Sequence, residues 1–332
     1  MSPNFIIEKE KIIKNPEIQK PHVVLLGAGA SRAAFPNGDA IKKHLPLMSD
    51  LIETLQLTTL LNNRGIDSTQ DFETIYANIT DENLRNILEN KINNYFSTLS
   101  LPQNVTDYDR LLLSLREKDA VFTFNWDPFL FDAWVRNFHV AKLPKIFFLH
   151  GNVRIASCIK HKKWGKKHTA CPVCNEMFSE VPLLYPIHSK DYSKNAHEYI
   201  KEAWKNAKYF FSNAFTITIF GYGAPSSDVD AVELLRFAWF EGGLRNFEHI
   251  EIIDVADNNI LYERWHSFAP TSHYHIKTCL SESRLLQWPR RSCESLFYPM
   301  TQGDVCESFP IPLTDNLDEL HRYLKEIARY EK

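Results

Sequence analysis

The chain has 332 residues, 44% of them hydrophobic and 13% aromatic, with a formal net charge of −3. That length and apolar content suit one large domain or two intimate ones, and they exclude disorder and low-complexity classes. The charge argues against a basic nucleic-acid binder, and no apolar run reaches the roughly 18 to 20 residues that span a bilayer. The N-terminus lacks the apolar core of a signal peptide, so a cytoplasmic location is expected, where structural disulfides are rare. Three of the six cysteines cluster within residues 158–174, which points to a metal rather than to a disulfide framework.

In chain order, residues 1–20 carry no long hydrophobic pattern and read as an N-terminal extension. HVVLL at 22–26 reads as a strand, followed by GAGAS at 27–31 as a glycine turn opening a helix. Residues 39–118 place Leu and Ile at helical spacing, with Asp81 or Thr80 as the cap of one helix, and read as a helical insertion. Strand signals return at 120–124, 145–149, 215–220 and 249–254. Each is a continuous apolar run, the signature of strands buried on both faces of a parallel sheet. Helical patterns lie between several of them, so the predicted fold is α/β, a doubly wound Rossmann-like parallel sheet with a helical insertion and a small metal-binding module at 153–190. Residues 280–312 show no clear period.

In an open α/β sheet, ligands bind beyond the C-terminal ends of the strands. The chemically suggestive residues fall at five such ends. Gly27, Ala28, Gly29, Ala30 and Ser31 form a turn whose backbone amides can approach a pyrophosphate. Arg32 stands where G-x-G-x-x-G would have its third glycine, and could meet phosphate, ribose or solvent. Thr123 to Asp127 places Asn125 and Asp127 directly after a strand. Asp127 also suits the cap of a helix starting at Pro128. His150, before Gly151, has the near-neutral titration of a general base. Gly221, Tyr222 and Gly223 end a fourth strand, with Ser226 beyond them as a helix cap or a ligand contact. Asp254 ends a fifth, where a carboxylate can accept from a ribose diol or simply close a turn.

Cys158-x2-His161 and Cys171-x2-Cys174 are two ligand pairs of the kind that surround tetrahedral Zn2+, in a closed and therefore structural site. His168 could replace His161. The lysine-rich run at 160–167 reads as a solvated loop, and Cys279, Cys293 and Cys306 as ordinary thiols.

Together these residues resemble the sirtuin family. GAGAS looks like its GAGxS cofactor loop, TFNWD like TQNxD, LHG at 149–151 matches its strand-end HG, and FGYGAPSSD at 220–228 looks like its ribose loop. The cysteine module lies where sirtuins carry a zinc ribbon. The departures are informative. Phe124 replaces a glutamine, PNGDA at 36–40 stands in place of Asp-Phe-Arg, a histidine joins the zinc ligands, and PLLYPIHS at 182–189 replaces the acyl-lysine channel motif. The pattern looks more like bacterial sirtuin-like proteins of antiphage defence, which hydrolyse NAD+.

That resemblance implies a sirtuin-like domain over 21–332 in which Asn125, His150 and Asp127 are catalytic. Gly27 to Arg32, Thr123, Gly221, Tyr222, Gly223, Ser226 and Asp254 would bind NAD+. It further implies structural zinc, a homo-oligomer, and a co-encoded partner such as an ATPase, helicase or argonaute-like protein. The competing activities are NAD+-dependent deacylation or ADP-ribosyl transfer, and non-catalytic NAD+ or ADP-ribose sensing.

Overall fold

A computed structural model describes residues 6–185, 197–223, 229–241, 249–265 and 274–331. Its centre is a six-stranded, wholly parallel sheet: β1 His22–Leu26, β2 Ala120–Thr123, β3 Lys145–Phe148, β4 Thr216–Phe220, β5 Ile250–Ile253 and β6 Tyr274–Lys277. The spatial order is 6-5-4-1-2-3. This is the doubly wound arrangement, and the direction of winding reverses between β1 and β4. β1, β2, β4 and β5 are buried at every position, which is why they read as continuous apolar runs.

β6 is the strand that the sequence reading missed. Among the described residues it lies at the sheet edge, paired with β5, and its YHIK sequence carries polar residues on one face. An edge strand half in contact with solvent has no continuous apolar run to reveal it.

Helices cover both faces. Glu198–Asn213 buries Ile200, Ala203, Trp204, Ala207, Phe210 and Phe211 at the three- and four-residue spacing of one helical stripe. Phe210 and Phe211 meet Phe122 of β2, which stacks on Phe147 of β3 at 4.9 Å. Each such side chain, fully buried, contributes about 1.5 to 3 kcal/mol.

The insertion at 39–118 is helical, with segments at Leu51–Thr54, Thr58–Asn62, Phe72–Asn78, Glu82–Ser97 and Asp107–Leu113. Asp81 caps the fourth by accepting from the amides of Asn83 and Leu84. The last carries a capping box between Thr106 and Asp109 and delivers Tyr108 to the sheet rim.

The N-terminal stretch is integrated rather than loose. Ile6–Ile7 pairs in parallel with Val305–Cys306, and Ile7 and Ile12 join Tyr298, Cys306, Phe309 and Ile327 in a second apolar cluster. The aperiodic region 280–312 is anchored by polar contacts. Arg290 and Arg291 are buried, donate to the carbonyls of Leu113, Leu115, Lys142 and Ile13, and both pair with Glu331. No helix among the described residues is long and apolar enough to cross a membrane.

Candidate active site at the sheet rim

Four of the five predicted rim segments meet. The glycine loop after β1 and the one after β4 lie backbone against backbone. The Gly27 amide donates to Phe220 O, and the Gly29 amide to Gly221 O at 2.9 Å. Gly221 adopts φ +58°, and a Cβ on it would lie 2.1 Å from the Ala30 nitrogen. These glycines are thus explained by the closure of the two loops. The predicted cradle of free amides is narrower than expected, because the Gly27 and Gly29 N–H groups are already engaged.

Under this junction sits a buried polar cluster. Asn125 Nδ2 donates to Gly27 O and to Ser31 Oγ, both at 2.9 Å. Ser31 Oγ donates to Asp127 Oδ2 at 2.6 Å and lies 2.6 Å from the Tyr108 hydroxyl, whose proton is then directed at Ser31. Asn125 Oδ1 accepts no hydrogen bond from the described residues. Thr123 Oγ1 accepts from the Asn125 amide and shapes the turn. Tyr108 was not foreseen. It comes from the insertion, 77 positions from Ser31, and no local pattern marks it.

Asp127 does what a cap does: its Oδ1 accepts from the Phe129 amide at 3.1 Å. The helix begins at Phe129, one residue later than predicted. Both carboxylate oxygens are therefore occupied, and Asp127 reaches Asn125 only through Ser31. Burial pushes its carboxyl up to about 6, against the opposing Ser31 and Phe129 hydrogen bonds.

His150 is buried at the end of the strand-to-turn segment. Its ring meets Phe124 edge-on at 4.7 Å, and Phe124 stacks on Tyr222 at 4.3 Å. The residue standing in place of a glutamine is therefore an aromatic wedge between two loops. Gly151 takes φ +75°, and a side chain there would strike Pro182 O. Asn152, a second residue not foreseen, donates to the carbonyls of Asp127 and Asn125 and ties this turn to the β2 loop.

Two predicted residues turn away from the cluster, a third is exposed, and a fourth lies outside the described residues. Arg32 turns to the insertion, where Nη1 donates to Leu45 O and pairs with Asp50 at 2.7 Å; its geometry serves that anchor and not a phosphate. Asp254 Oδ1 accepts from the Ala256 amide, the turn-closing alternative, and β5 joins the rim through the Gly221 amide donating to Ile253 O. Ser226 lies outside the described residues. Gly223 is exposed, near Arg264 Nη1.

The second cluster is the metal-ligand set. Ile155–Cys158 pairs antiparallel with Lys163–Lys166 and Ser179–Glu180. This small sheet brings Cys158, His161, Cys171 and Cys174 together, with all donor atoms within 4.8 Å of one another. Cys158 Sγ lies 3.5 Å from His161 Nδ1 and 3.9 Å from Cys174 Sγ, and Cys171 Sγ lies 3.7 Å from His161 Nδ1. Tetrahedral zinc with bonds of about 2.0 to 2.3 Å has ligand–ligand edges of about 3.3 to 3.8 Å, so the donors fit. His161, not His168, belongs to the set.

No protein-family model matches the chain, and no curated protein matches it significantly. Solved structures of Sir2 proteins align with it at low identity. One is a Sir2 variant with a deacetylated p53 peptide and 3'-O-acetyl ADP-ribose, at 13% identity over 90% of this chain and 100% of that one, with a TM-score of 0.38. Another is a Sir2 homologue mutant with ADP-ribose, at 13% over 98% and 99%, TM-score 0.39. A third is a Sir2 homologue with NAD, at 13% over 98% and 96%, TM-score 0.34. The likeness is loose, and the doubly wound order stands on its own hydrogen bonds.

Proposed function

We propose that the rim is an NAD+ glycohydrolase site, cleaving the nicotinamide–ribose bond to give nicotinamide and ADP-ribose. One observation carries the reading: Asn125 Oδ1, at the β1–β4 reversal, accepts no hydrogen bond from the described residues, with His150 held by Phe124 in the same loop junction. A dinucleotide site needs that crevice, and a hydrolase needs an oriented acceptor beside a base.

The chemistry asks little of the protein. Nicotinamide leaves as a neutral molecule, so no strong acid is required, and the transition state is oxocarbenium-like. Asn125 spends both amide hydrogens on Gly27 and Ser31, so its Oδ1 can only accept. In this reading it fixes the attacking water or a ribose hydroxyl, and His150 takes the proton. Ser31, Tyr108 and Asp127 hold the asparagine in place. The Ala28 amide, left out of the loop-to-loop bonds, is the backbone donor for the pyrophosphate. Cys158, His161, Cys171 and Cys174 would hold structural zinc, which would fix the small sheet without touching the reaction.

Depletion of NAD+ as antiphage defence, with activation by a partner or by self-assembly, belongs to the same proposal. It rests on the departures from the deacylase pattern at Phe124 and 182–189.

The test measures NAD+, nicotinamide and ADP-ribose with the wild type, Asn125→Ala and His150→Ala, in cells and with purified protein. Loss of turnover in both variants is expected. Equal turnover in all three would remove these residues from the mechanism, and NAD+-dependent release of acetyl groups from acetyl-lysine peptides would favour a deacylase.

A further inference from the structure

A second concavity lies away from the rim, on the sheet face at the β5–β6 edge. It is a cavity of about 430 Å³, lined among others by His249, Glu251, His275, Lys277, Arg284 and Trp288. The β5–β6 register opposes His275 to Glu251 and Lys277 to Ile253, so the alternation of the strands puts His249, Glu251, His275 and Lys277 on one face. A doubly wound sheet normally covers such a face with apolar side chains. Here it carries a stripe of ionisable ones, roofed by the segment 280–288. None of the lining residues belongs to the Asn125–His150 site.

The charge balance favours an anion. Glu251 already accepts from the Arg284 amide and the Thr218 hydroxyl, and burial raises its pKa and so favours its neutral form. Glu282 is exposed at the margin. The cations are less occupied. Lys277 enters no ion pair with the described residues. Arg284 lies over the Trp288 ring at 5.0 Å, donates through Nη1 to Ser295, and leaves Nε buried without a partner among the described residues. His249 is buried and binds Thr216 through one ring nitrogen, while Nε2 has no partner among the described residues. Unmet buried polar atoms are costly, and two of them belong to residues lining one cavity. The volume exceeds what a bare inorganic ion fills and falls within the range of small-molecule pockets.

We infer that this cavity binds a small organic oxyanion, a carboxylate or a phosphate monoester, with Lys277 and Arg284 supplying the charge and His249 a hydrogen bond. The inference is independent of the NAD+ reading.

The test is calorimetric titration of the full chain with citrate, phosphoglycerate and inorganic phosphate at low ionic strength. Lys277→Glu, Lys277→Met and the distant control Lys208→Glu are compared, with thermal unfolding to verify folding. Citrate or phosphoglycerate should bind saturably at one site per chain. Lys277→Glu and Lys277→Met should weaken that binding at least tenfold, and Lys208→Glu should leave it unchanged. Absence of saturable binding by all three probes would overturn the inference, as would undiminished binding by folded Lys277→Met. Binding by inorganic phosphate alone would mean an adventitious ion only and would also overturn it.

Discussion

Ser31 Oγ donates a 2.6 Å hydrogen bond to Asp127 Oδ2, joining the loop after β1 to the loop after β2 across 96 positions of sequence. The same oxygen takes an Asn125 amide hydrogen, so one hydroxyl locks the amide that the proposed mechanism depends on. Replacing Ser31 with Ala leaves Asn125 bonded only to Gly27 O and, weakly, to Tyr108. Turnover of NAD+ is expected to fall about 10²-fold, the cost of an angstrom of misplacement, with a stability loss of about 1 to 3 kcal/mol as the buried Asp127 Oδ2 loses its donor. Tyr108→Phe should have a smaller effect in the same direction, since Ser31 keeps its bond to Asp127. Steady-state kinetics with circular dichroism checks both. Unchanged turnover in Ser31→Ala would separate the cluster from the chemistry.

The carboxyl of Asp127 is raised to about 6 by burial, so it ionises within the working range. A raised carboxyl favours folding below its unfolded value near 4, and that contribution is lost as pH rises through 6. The ionised carboxylate is the stronger acceptor for the Ser31 hydroxyl, and protonation at Oδ2 would turn that oxygen into a donor. If Asp127 must be ionised to orient the cluster, activity should rise with pH through about 6, and Asp127→Asn should abolish that limb while also lowering turnover. A limb retained in Asp127→Asn would show that Asp127 does not set it.

Two glycines at positive φ give a controlled comparison. Gly65 has φ +71° and open space around its Cβ, whereas Gly221 has φ +58° and a Cβ position 2.1 Å from the Ala30 nitrogen. Gly65→Ala should therefore cost only the left-handed strain, about 1 to 2 kcal/mol. Gly221→Ala forces the two rim loops apart and should cost about 4 kcal/mol or more, or prevent folding. Denaturant unfolding distinguishes the two.

Much of this architecture is legible in the sequence, for a common reason. Strands buried on both faces must be continuously apolar, so β1, β2, β4 and β5 announce themselves, and the residues ending them are the rim by topology. Cysteine and histidine spacing reveals the Cys–His cluster because its residues sit on tight hairpins. What stays hidden depends on long-range pairing. Tyr108 is an ordinary helical aromatic until the fold brings it to Ser31. Arg32 sits in a motif position, yet Asp50 draws it away. β6 is short, polar on one face and at an edge. Residues 280–312 have no period because their apolar residues are divided between two clusters on several short segments, with the buried arginines between them.

The metal set predicts a sharp discrimination between two histidines. His161 Nδ1 lies within 3.7 Å of two sulfurs, while His168 stands outside the cluster at φ +64°. Purified protein should carry one zinc per chain. Cys171→Ser and His161→Ala should lose it and melt earlier, whereas His168→Ala should retain it. Metal analysis with thermal unfolding decides, and retention of zinc by His161→Ala would refute the assignment.

Glu331 is expected to tolerate substitution poorly. Its two carboxylate oxygens pair with Arg290 at 2.5 Å and Arg291 at 2.6 Å, and both guanidinium side chains are fully buried. Backbone carbonyls satisfy their hydrogens but not their charge. The arginines hold Glu331 well in its ionised form, below the usual carboxylate range. Removing one partner of a buried ion pair leaves uncompensated charge and costs about 3 to 5 kcal/mol. Glu331→Ala or deletion of the last two residues should lower the unfolding free energy by that order, while Glu326→Ala, whose ion pair with Arg329 is exposed, should cost less than about 1 kcal/mol. Equal stabilities for these variants would show that carbonyl contacts alone suffice to bury the two arginines.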